Sequence, residues 1–390
     1  MKKFFFTCCA LLLCMCAIGQ PFQSAVNSAQ VNTIAFNAPI HQLRIYGNSI
    51  FVSSDHGISG YSLTDNEGWQ NFYDGDVAVY DFVKSGNLFL TTNVRGLRLH
   101  QNPLHSQRLY KCKMPDTYDM FVELLSSDDF GATWHPTGKF SGEVSLAFNL
   151  QNEANAVAYG LNMFVDCICP FVSFTTDNMS TWVETDFLVD DGGMVEDDDR
   201  MYPEVNSMAF SPTAEGEMVA GMGYGMAFSE DGGHSWRFSS VGFPGFQFSN
   251  AVFDDLHPDF VYACGSPFPG KYEEWKQQAM VFRSDNGGRS WNAIYYIPRE
   301  FAKEIGAIGG MTCHQGRLYL WVGSSIMVLT EPQSMIPVNN GTNAIGNGMT
   351  LSGAKETGAN ATFDLQGRKV RGTKMQKGIY IRKGHKMLNP

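Results

Sequence analysis

Ser229-Glu-Asp-Gly-Gly-His-Ser-Trp236 decides how this chain is to be read, because approximate copies of it recur along the sequence. Written S-x-D-x-G-x-S/T-W, the pattern returns as Ser127, Asp129, Gly131, Thr133 and Trp134. It returns again as Ser284, Asn286, Gly288, Ser290 and Trp291, with asparagine in the aspartate slot. A worn copy runs Thr175, Asp177, Thr181 and Trp182, with Met179 in place of the glycine, and a fainter trace ends at Trp69. The five tryptophans stand roughly 50 to 65 residues apart, the length of one four-stranded propeller blade.

The chemistry of the octapeptide explains its repetition. An aspartate in a tight turn accepts hydrogen bonds from nearby backbone N–H groups, and glycine takes the positive φ that the turn requires. Serine or threonine adds a second local polar tie, and tryptophan opens the next strand by burying a large ring under the turn. The motif resembles the Asp-box, or BNR repeat, of sialidases, xyloglucanases, sortilin-type receptors and photosystem assembly factors. That resemblance implies an all-β propeller in which the box is a structural feature of each blade's outer hairpin, away from the binding face. It speaks for fold and leaves function open.

Composition agrees with such a fold. The 390 residues are 44% hydrophobic and 13% aromatic, enough for a large core, and 40 glycines with many short alternating runs favour strands over helices. Lys2-Lys3, the apolar run from Phe4 to Ile18 and the small residues Ala17 and Gly19 read as a secretory signal over residues 1–19, cleaved before Gln20. Cys14 and Cys16 raise a lipoprotein as the rival, but Leu13 and Met15 precede them where a lipobox wants a small residue. No later apolar run is long enough to cross a membrane. Removing the signal leaves Cys112, Cys167, Cys169, Cys264 and Cys313, an odd number for an exported chain. Cys167-x-Cys169 has the form of a metal or redox pair, but no second CxC or nearby histidine supports it, and small apolar strand residues are the preferred reading.

At the other end, Phe363-Asp-Leu-Gln-Gly-Arg-Lys-Val370, Lys377-Gly-Ile-Tyr-Ile381 and Gly384-His-Lys386 form three ordered blocks. They resemble the C-terminal sorting domain of the type IX secretion system, whose pattern is a D-L-x-G-R-x-V strand, a K-G-I-Y-I strand and a closing G-x-K hairpin. The resemblance covers about the last thirty residues and implies a Bacteroidota-type envelope, export across the outer membrane through the type IX machinery, and removal of the tail on the way out. The expected organisation is a signal at 1–19, a propeller at 20–332, a Gly- and Asn-rich linker at 333–358 and the sorting region at 359–390. Charge divides at the same place. From Lys355 onward nine basic residues face only Glu356 and Asp364, whereas the body carries 17 basic against 37 acidic residues. A body of that sign repels nucleic acid and anionic membrane surfaces.

In chain order, strands of blade one are expected at Gln42–Tyr46 and Ser49–Val52, and of blade two at Val79–Val83 and Asn87–Leu90. The third strand of blade two is either Gly96–Leu99 or Met120–Leu124. The second choice is preferred, with residues about 100 to 118 as an insertion; using both would add a blade, so the count is six or seven. Blade six stops one strand short after Ile326–Leu329, while Val31–Phe36 precedes blade one without a partner. A propeller must hide its sheet edges, so that spare strand is expected to close blade six.

Catalytic residues are not fixed by the sequence. Sialidases resembling this fold use three arginines on the substrate carboxylate, a Tyr–Glu nucleophile pair and an acidic aspartate, the first arginine lying in an F/Y-R-I-P motif. The nearest string here is Leu43-Arg-Ile-Tyr46, without the proline. Arg237 and Arg289 sit at box hairpins, leaving Arg44, Arg95, Arg98, Arg108, Arg200, Arg283, Arg299 and Arg317 as candidates for a triad. A xyloglucanase-like hydrolase needs two facing carboxylates, and Asp55, Asp81, Asp254 and Asp255 stand near strand ends, where turn capping is the preferred reading. The acidic loop Asp190–Asp199 offers Asp190, Asp191, Asp197, Asp198 and Asp199 as calcium ligands but lacks EF-hand spacing, and a solvated loop is preferred. No HExxH, P-loop or nucleophile-elbow pattern occurs, and no organic cofactor is implied. The expectation is a secreted or outer-membrane-surface binding protein that takes a glycan or protein ligand on the propeller face. A glycoside hydrolase and a scaffolding factor are the rivals.

Overall fold

The computed structural model describes residues 31–65, 67–74, 77–113, 121–164, 167–185, 189–190, 204–223, 225–239, 246–267, 279–298 and 308–330, and near the C-terminus 362–364, 378–382 and 385–389. Every regular element among them is a β-strand. The expected signal segment, 1–19, and the expected linker, 333–358, lie outside the described residues, as do residues 191–199 of the acidic loop. Two compact units divide the chain, Met1–Pro337 and Val338–Pro390.

The first unit is a six-blade β-propeller of antiparallel four-stranded sheets. Blade 1 holds Gln42–Tyr46, Ser49–Ser54, Gly57–Ser62 and Trp69–Asp74. Blade 2 holds Leu99–Gln101, Leu109–Lys113, Val122–Ser127 and His135–Phe140, and blade 3 holds Val144–Phe148, Ala156–Phe164, Cys167–Thr175 and Val183–Thr185. Blade 4 has Val205–Phe210, Met218–Met222, Gly225–Ser229 and Trp236–Ser239. On its outer edge Val189–Asp190 adds a fifth, parallel strand opposite Trp236 and Arg237. Blade 5 has Phe246–Phe253, Val261–Pro267, Met280–Ser284 and Asn292–Tyr296. Blade 6 has Ile308–His314, Arg317–Val322 and Ser325–Leu329, completed by Val31–Ala35.

Closure is therefore non-local. Val31 pairs with Leu329, Thr33 with Met327 and Ala35 with Ser325, in an antiparallel register. Phe36 N and Ile40 N then donate to Ser324 O and Gly323 O at 2.8 Å each, and Trp69 Nε1 donates to Ala35 O at 2.8 Å, tying the clasp to blade 1.

Blade 2 differs from the expectation. The insertion expected at about residues 100–118 is, over its described part to Lys113, no insertion: Leu99–Gln101 and Leu109–Lys113 are the inner two strands of the blade that ends in the box at Trp134. The earlier pair, Asp81–Ser85 and Leu88–Thr92, stands as a separate two-stranded hairpin between blades 1 and 2. Burial accounts for the difference. Leu99, Leu109, Tyr110 and Cys112 are all buried, but a three-residue strand and the charged Lys111 and Lys113 hide that alternation in the sequence.

The core lies between neighbouring sheets. Tyr262, Cys264 and Val281 of blade 5 meet Leu318, Leu320 and Met327 of blade 6, whose Tyr319 and Trp321 meet Leu43, Ile50 and Val52 of blade 1. The two-stranded hairpin fills its own place in this ring, with Phe82 against Phe51 and Ile58 of blade 1, and Val83 against Leu99 and Leu109 of blade 2. Full burial of each such side chain contributes about 1.5–3 kcal/mol. Glycine is required where Trp321 crosses the inner strand of blade 6, since a Cβ at Gly309 or Gly310 would stand 2.2 or 2.1 Å from the indole.

In the second unit, Thr362–Asp364, Gly378–Arg382 and His385–Asn389 form a three-stranded antiparallel sheet in that order, pairing Phe363 with Ile381 and Ile381 with Lys386.

Because the clasp covers a sheet edge as well as apolar side chains, its loss affects the whole ring. Deleting residues 20–37 is expected to lower the melting temperature in a single cooperative step and to promote association. Thermal denaturation with light scattering reads both, and an unchanged melting temperature in a monomeric truncated protein would contradict this role.

Candidate functional site

The repeated octapeptides form one turn, built four times between the third and fourth strands of blades 2 to 5. In blade 4, Ser229 Oγ accepts from Asp231 N and Gly233 N at 3.3 and 2.8 Å and donates to Asp231 Oδ1 at 2.8 Å. Asp231 in turn receives Ser235 N at 2.8 Å and Ser235 Oγ at 2.6 Å, and Trp236 Nε1 donates to Gly233 O at 2.7 Å. Ser127, Asp129, Gly131, Thr133 and Trp134 repeat this set in blade 2. In blade 5 Asn286 substitutes: its Oδ1 accepts from Ser284 Oγ and Ser290 N, and its Nδ2 donates to Ser290 Oγ at 2.8 Å. Trp291 Nε1 donates to Gly288 O there at 2.9 Å.

The worn copy in blade 3 keeps the polar set through Thr175, Asp177 and Thr181. Met179 adopts φ 65° in the glycine's place, and Trp182 Nε1 turns to Thr137 O at 3.1 Å. Hydrogen bonds from the Thr133 hydroxyl and backbone, and from Ser127, hold the Asp129 carboxyl down to about 2. Asp177 is lowered by Thr181 in the same way. At Asp231 burial opposes ionisation, but the Ser235 and Ser229 hydrogen bonds outweigh it and the carboxyl stays below its ordinary value.

None of these turns touches the axial channel. That channel is a cavity of about 1420 Å³ lined by the inner strands of the blades and the hairpin, from Gln42–Tyr46 around to Ile308 and Thr312. Of the candidate arginines, Arg44, Arg95 and Arg98 line it. Arg108 turns to Asp128 at 2.7 Å and Arg283 lies over the Phe260 ring, while Arg317 begins the second strand of blade 6. Arg237 and Arg289 join Glu230 beside the box turns, at 3.3 and 2.7 Å. Arg200 and Arg299 lie outside the described residues.

The three channel arginines are not equivalent. Arg44 Nη2 reaches both oxygens of Asp81, at 3.1 and 3.3 Å, and Leu99 O at 2.7 Å. Asp81 is buried and also accepts from Phe82 N at 2.7 Å and Leu99 N at 2.8 Å. This pair is structural: it ties blade 1, the hairpin and blade 2 together. Burial opposes charge on Arg44, yet Asp81 outweighs it and keeps the guanidinium above its ordinary value. Arg95 and Arg98 are exposed at the mouth, Arg95 over the Tyr80 ring at 5.8 Å and Arg98 Nη1 donating to Ser145 Oγ at 3.3 Å. Lys84 lines the channel as well, its backbone N donating to the Tyr46 hydroxyl at 3.0 Å. Behind Arg98, desolvation and the neighbouring arginine charge push His100 down to about 4, and its ring contacts Val144 O at 3.3 Å. Burial raises Glu143 against the pull of Arg98, and Glu143 Oε1 is buried with no hydrogen-bond partner.

Of the aspartates singled out for facing carboxylates, Asp55 contacts His41 at 2.9 Å and Asp81 is held by Arg44. The sequence neighbours Asp254 and Asp255 bring oxygens within 4.8 Å of each other at a turn after the inner strand of blade 5, where Asp254 accepts from Leu256 N and His257 N. Asp190 stands in the outer strand of blade 4; Asp191, Asp197, Asp198 and Asp199 lie outside the described residues. Cys167 and Cys169 fall in the third strand of blade 3, opposite Phe164 and Asn162. Sequence reasoning missed the grouping of Lys84, Arg95 and Arg98, whose one signal was the local excess of basic residues between Lys84 and Lys113 in an acidic body.

No protein-family model matches the chain, and no curated protein matches it. Among solved structures it is similar to an ancestral GH74 enzyme, with TM-score 0.46 and 12% identity over 74% of this chain and 35% of that one. The GH74 enzyme of Niastella koreensis gives TM-score 0.45 and 13% identity over 74% and 41%. A structure of YCF48 bound to D1 peptide gives TM-score 0.44 and 12% identity over 77% and 96%. The chain thus spans about a third of the length of the ancestral GH74 enzyme. No helix among the described residues is long and apolar enough to cross a membrane.

Ser229→Ala leaves the buried Gly233 N–H without its acceptor and is expected to lower stability by about 1–3 kcal/mol, read by denaturant unfolding. The box aspartates carry folded pKa values below their unfolded ones, so their contribution is present above about pH 4 and is lost as pH falls through the folded value near 2 at Asp129. Asp231→Asn, which copies Asn286, is expected to keep stability at neutral pH and to flatten the acid limb of the stability profile. An acid limb identical to that of the parent protein would contradict the assignment.

Proposed function

We propose that the protein is an Asp-box propeller, secreted or held at the outer-membrane surface, that binds an acidic glycan or protein segment at the channel mouth without catalysis. The observation that carries this reading is the charge of the channel. Lys84, Arg95 and Arg98 line it, and Asp81, the one carboxylate among the described lining residues, is already held by Arg44 and two backbone N–H groups. A group of cations in a recess of an acidic body, with the half-buried Glu143 beside Arg98, concentrates a local positive potential, and guanidinium groups suit carboxylates and sulfates. A glycosidase of either stereochemical type needs two working carboxyl groups flanking the bond, and Asp81 is fully engaged. The hydrolase reading therefore finds less support than binding.

Arg95→Ala with Arg98→Ala removes two exposed side chains and is expected to leave folding intact while reducing retention on immobilised heparin or hyaluronan at least tenfold. Retention on neutral dextran should be absent in both proteins. Equal retention of parent and double variant, or release of reducing ends from either acidic polymer, would overturn the reading.

Export follows from the three-block resemblance at the C-terminus, supported by the three-stranded sheet that carries Phe363–Asp364, Gly378–Ile381 and His385–Lys386. Removing residues 363–390 is expected to trap folded propeller in the periplasm of the native host. Immunoblots of cell fractions showing undiminished protein at the surface or in the medium would contradict it.

A further inference from the structure

Two neighbouring blades bring unlike metal-ligating groups together beside the box turn of blade 5, whose Gly287 N donates to Asp259 O at 3.1 Å. Asp254, Asp255 and His257 stand in the turn after the inner strand of blade 5, and Cys313 and His314 end the inner strand of blade 6. One ligand atom from each of Asp254, Asp255 and Cys313 lies within 4.8 Å of the others. Cys313 Sγ is 3.7 Å from Asp255 Oδ1, and His257 Nδ1 is 3.6 Å from Asp254 Oδ1. Around a tetrahedral ion with Zn–S near 2.3 Å and Zn–O or Zn–N near 2.0 Å, adjacent donors are about 3.3–3.5 Å apart, so the Cys313–Asp255 pair needs to close by a few tenths of an ångström, the pairs with Asp254 by up to about 1.5 Å, and the His257 ring, outside the group of three, must turn in to join them.

The backbone holds the donors in place. Gln315 and Gly316 form a two-residue turn with φ 52° and 66°, and their N–H groups point at Asp255, at 2.6 Å to Oδ2 and 3.0 Å to Oδ1. Asp254 is fully buried, fixed by Leu256 N at 2.8 Å and the Tyr262 hydroxyl at 3.2 Å. Asp254 Oδ1, which also accepts from His257 N at 3.1 Å, has both lone pairs engaged, so Asp254 can offer Oδ2, and each Asp255 oxygen keeps a lone pair once the Cys313 thiol gives up its proton. Two ring nitrogens of the group, His257 Nδ1 and His314 Nε2, are buried without a hydrogen-bond partner, an uncommon and costly state that coordination removes at His257. His314 Nδ1 lies 3.9 Å from Asp255 Oδ2, the place of an outer partner that orients a ligating carboxylate. Asp255 is 41% exposed, which gives an ion a route from solvent.

We propose that Asp254, Asp255, His257 and Cys313 bind a divalent transition-metal ion of the zinc type and so tie blade 5 to blade 6. The thiolate selects a borderline-soft metal over calcium or magnesium. On binding, Cys313 releases its thiol proton to solvent as the sulfur–metal bond forms, and no redox change is involved.

Cobalt(II) is the probe, added in equal amount to full-length exported protein carrying Cys167→Ser and Cys169→Ser, which removes the thiols of the CxC motif. The expected result is a near-ultraviolet sulfur-to-cobalt band with intense visible bands of tetrahedral cobalt, displaced by zinc. The sulfur band should vanish with Cys313→Ser, and His257→Gln, which alters a partly exposed ring, should weaken cobalt binding at least tenfold. Zinc should raise the melting temperature of the protein with Cys313 intact and not that of Cys313→Ser. Absence of the sulfur band when Cys313 is present, its persistence after Cys313→Ser, or undiminished affinity in His257→Gln would overturn the proposal.

Discussion

The ladder between Val31–Ala35 and Ser325–Leu329 is the interaction on which the rest of the molecule depends. Each blade buries its faces against its neighbours, so the ring has no independent sub-core that survives opening. A single non-local strand pairing converts a row of antiparallel sheets into a closed ring without a free edge in blade 6. Ring closure also fixes the position of the inner strands, and hence the width and lining of the channel.

Within that ring, polar chemistry is divided by radius. The box turns sit at the outer hairpins, where Ser229, Asp231 and Ser235 and their counterparts satisfy one another and the local backbone. Nothing in these networks is left over for a ligand. Near the axis the Arg44–Asp81 pair does structural work between blade 1, the hairpin and blade 2, and by satisfying Asp81 it leaves Arg95, Arg98 and Lys84 as the charged groups facing the cavity. A body with a large excess of acidic residues thus carries a basic recess. Long-range repulsion and short-range attraction then favour a ligand that presents anionic groups at close quarters over a bulk polyanion such as duplex nucleic acid.

The two-stranded hairpin Asp81–Ser85/Leu88–Thr92 shows where local reading of the chain fails. Its strands alternate like those of a blade, so spacing alone merges them with the next box and makes residues 100–118 look spare. The ring instead seats the hairpin in a place of its own, because Phe82 packs toward blade 1 and Val83 toward blade 2. The three-residue strand Leu99–Gln101 gains its identity only from the pairing of Leu99 with Lys111 and of Gln101 with Leu109.

The sequence by itself determined the all-β class, the blade period, the four box turns and the need for the N-terminal strand to close blade 6. Those features rest on local chemistry: turn residues that bond within eight positions, and a strand count that must leave no edge. Tertiary structure alone decided which charged groups meet. Arg44 finds Asp81 across 37 residues, Lys84, Arg95 and Arg98 come to one channel, and Cys313 reaches Asp255 across 58. Such contacts depend on how neighbouring sheets are staggered around the axis, and that stagger is set by packing between blades, which no local pattern of residues encodes.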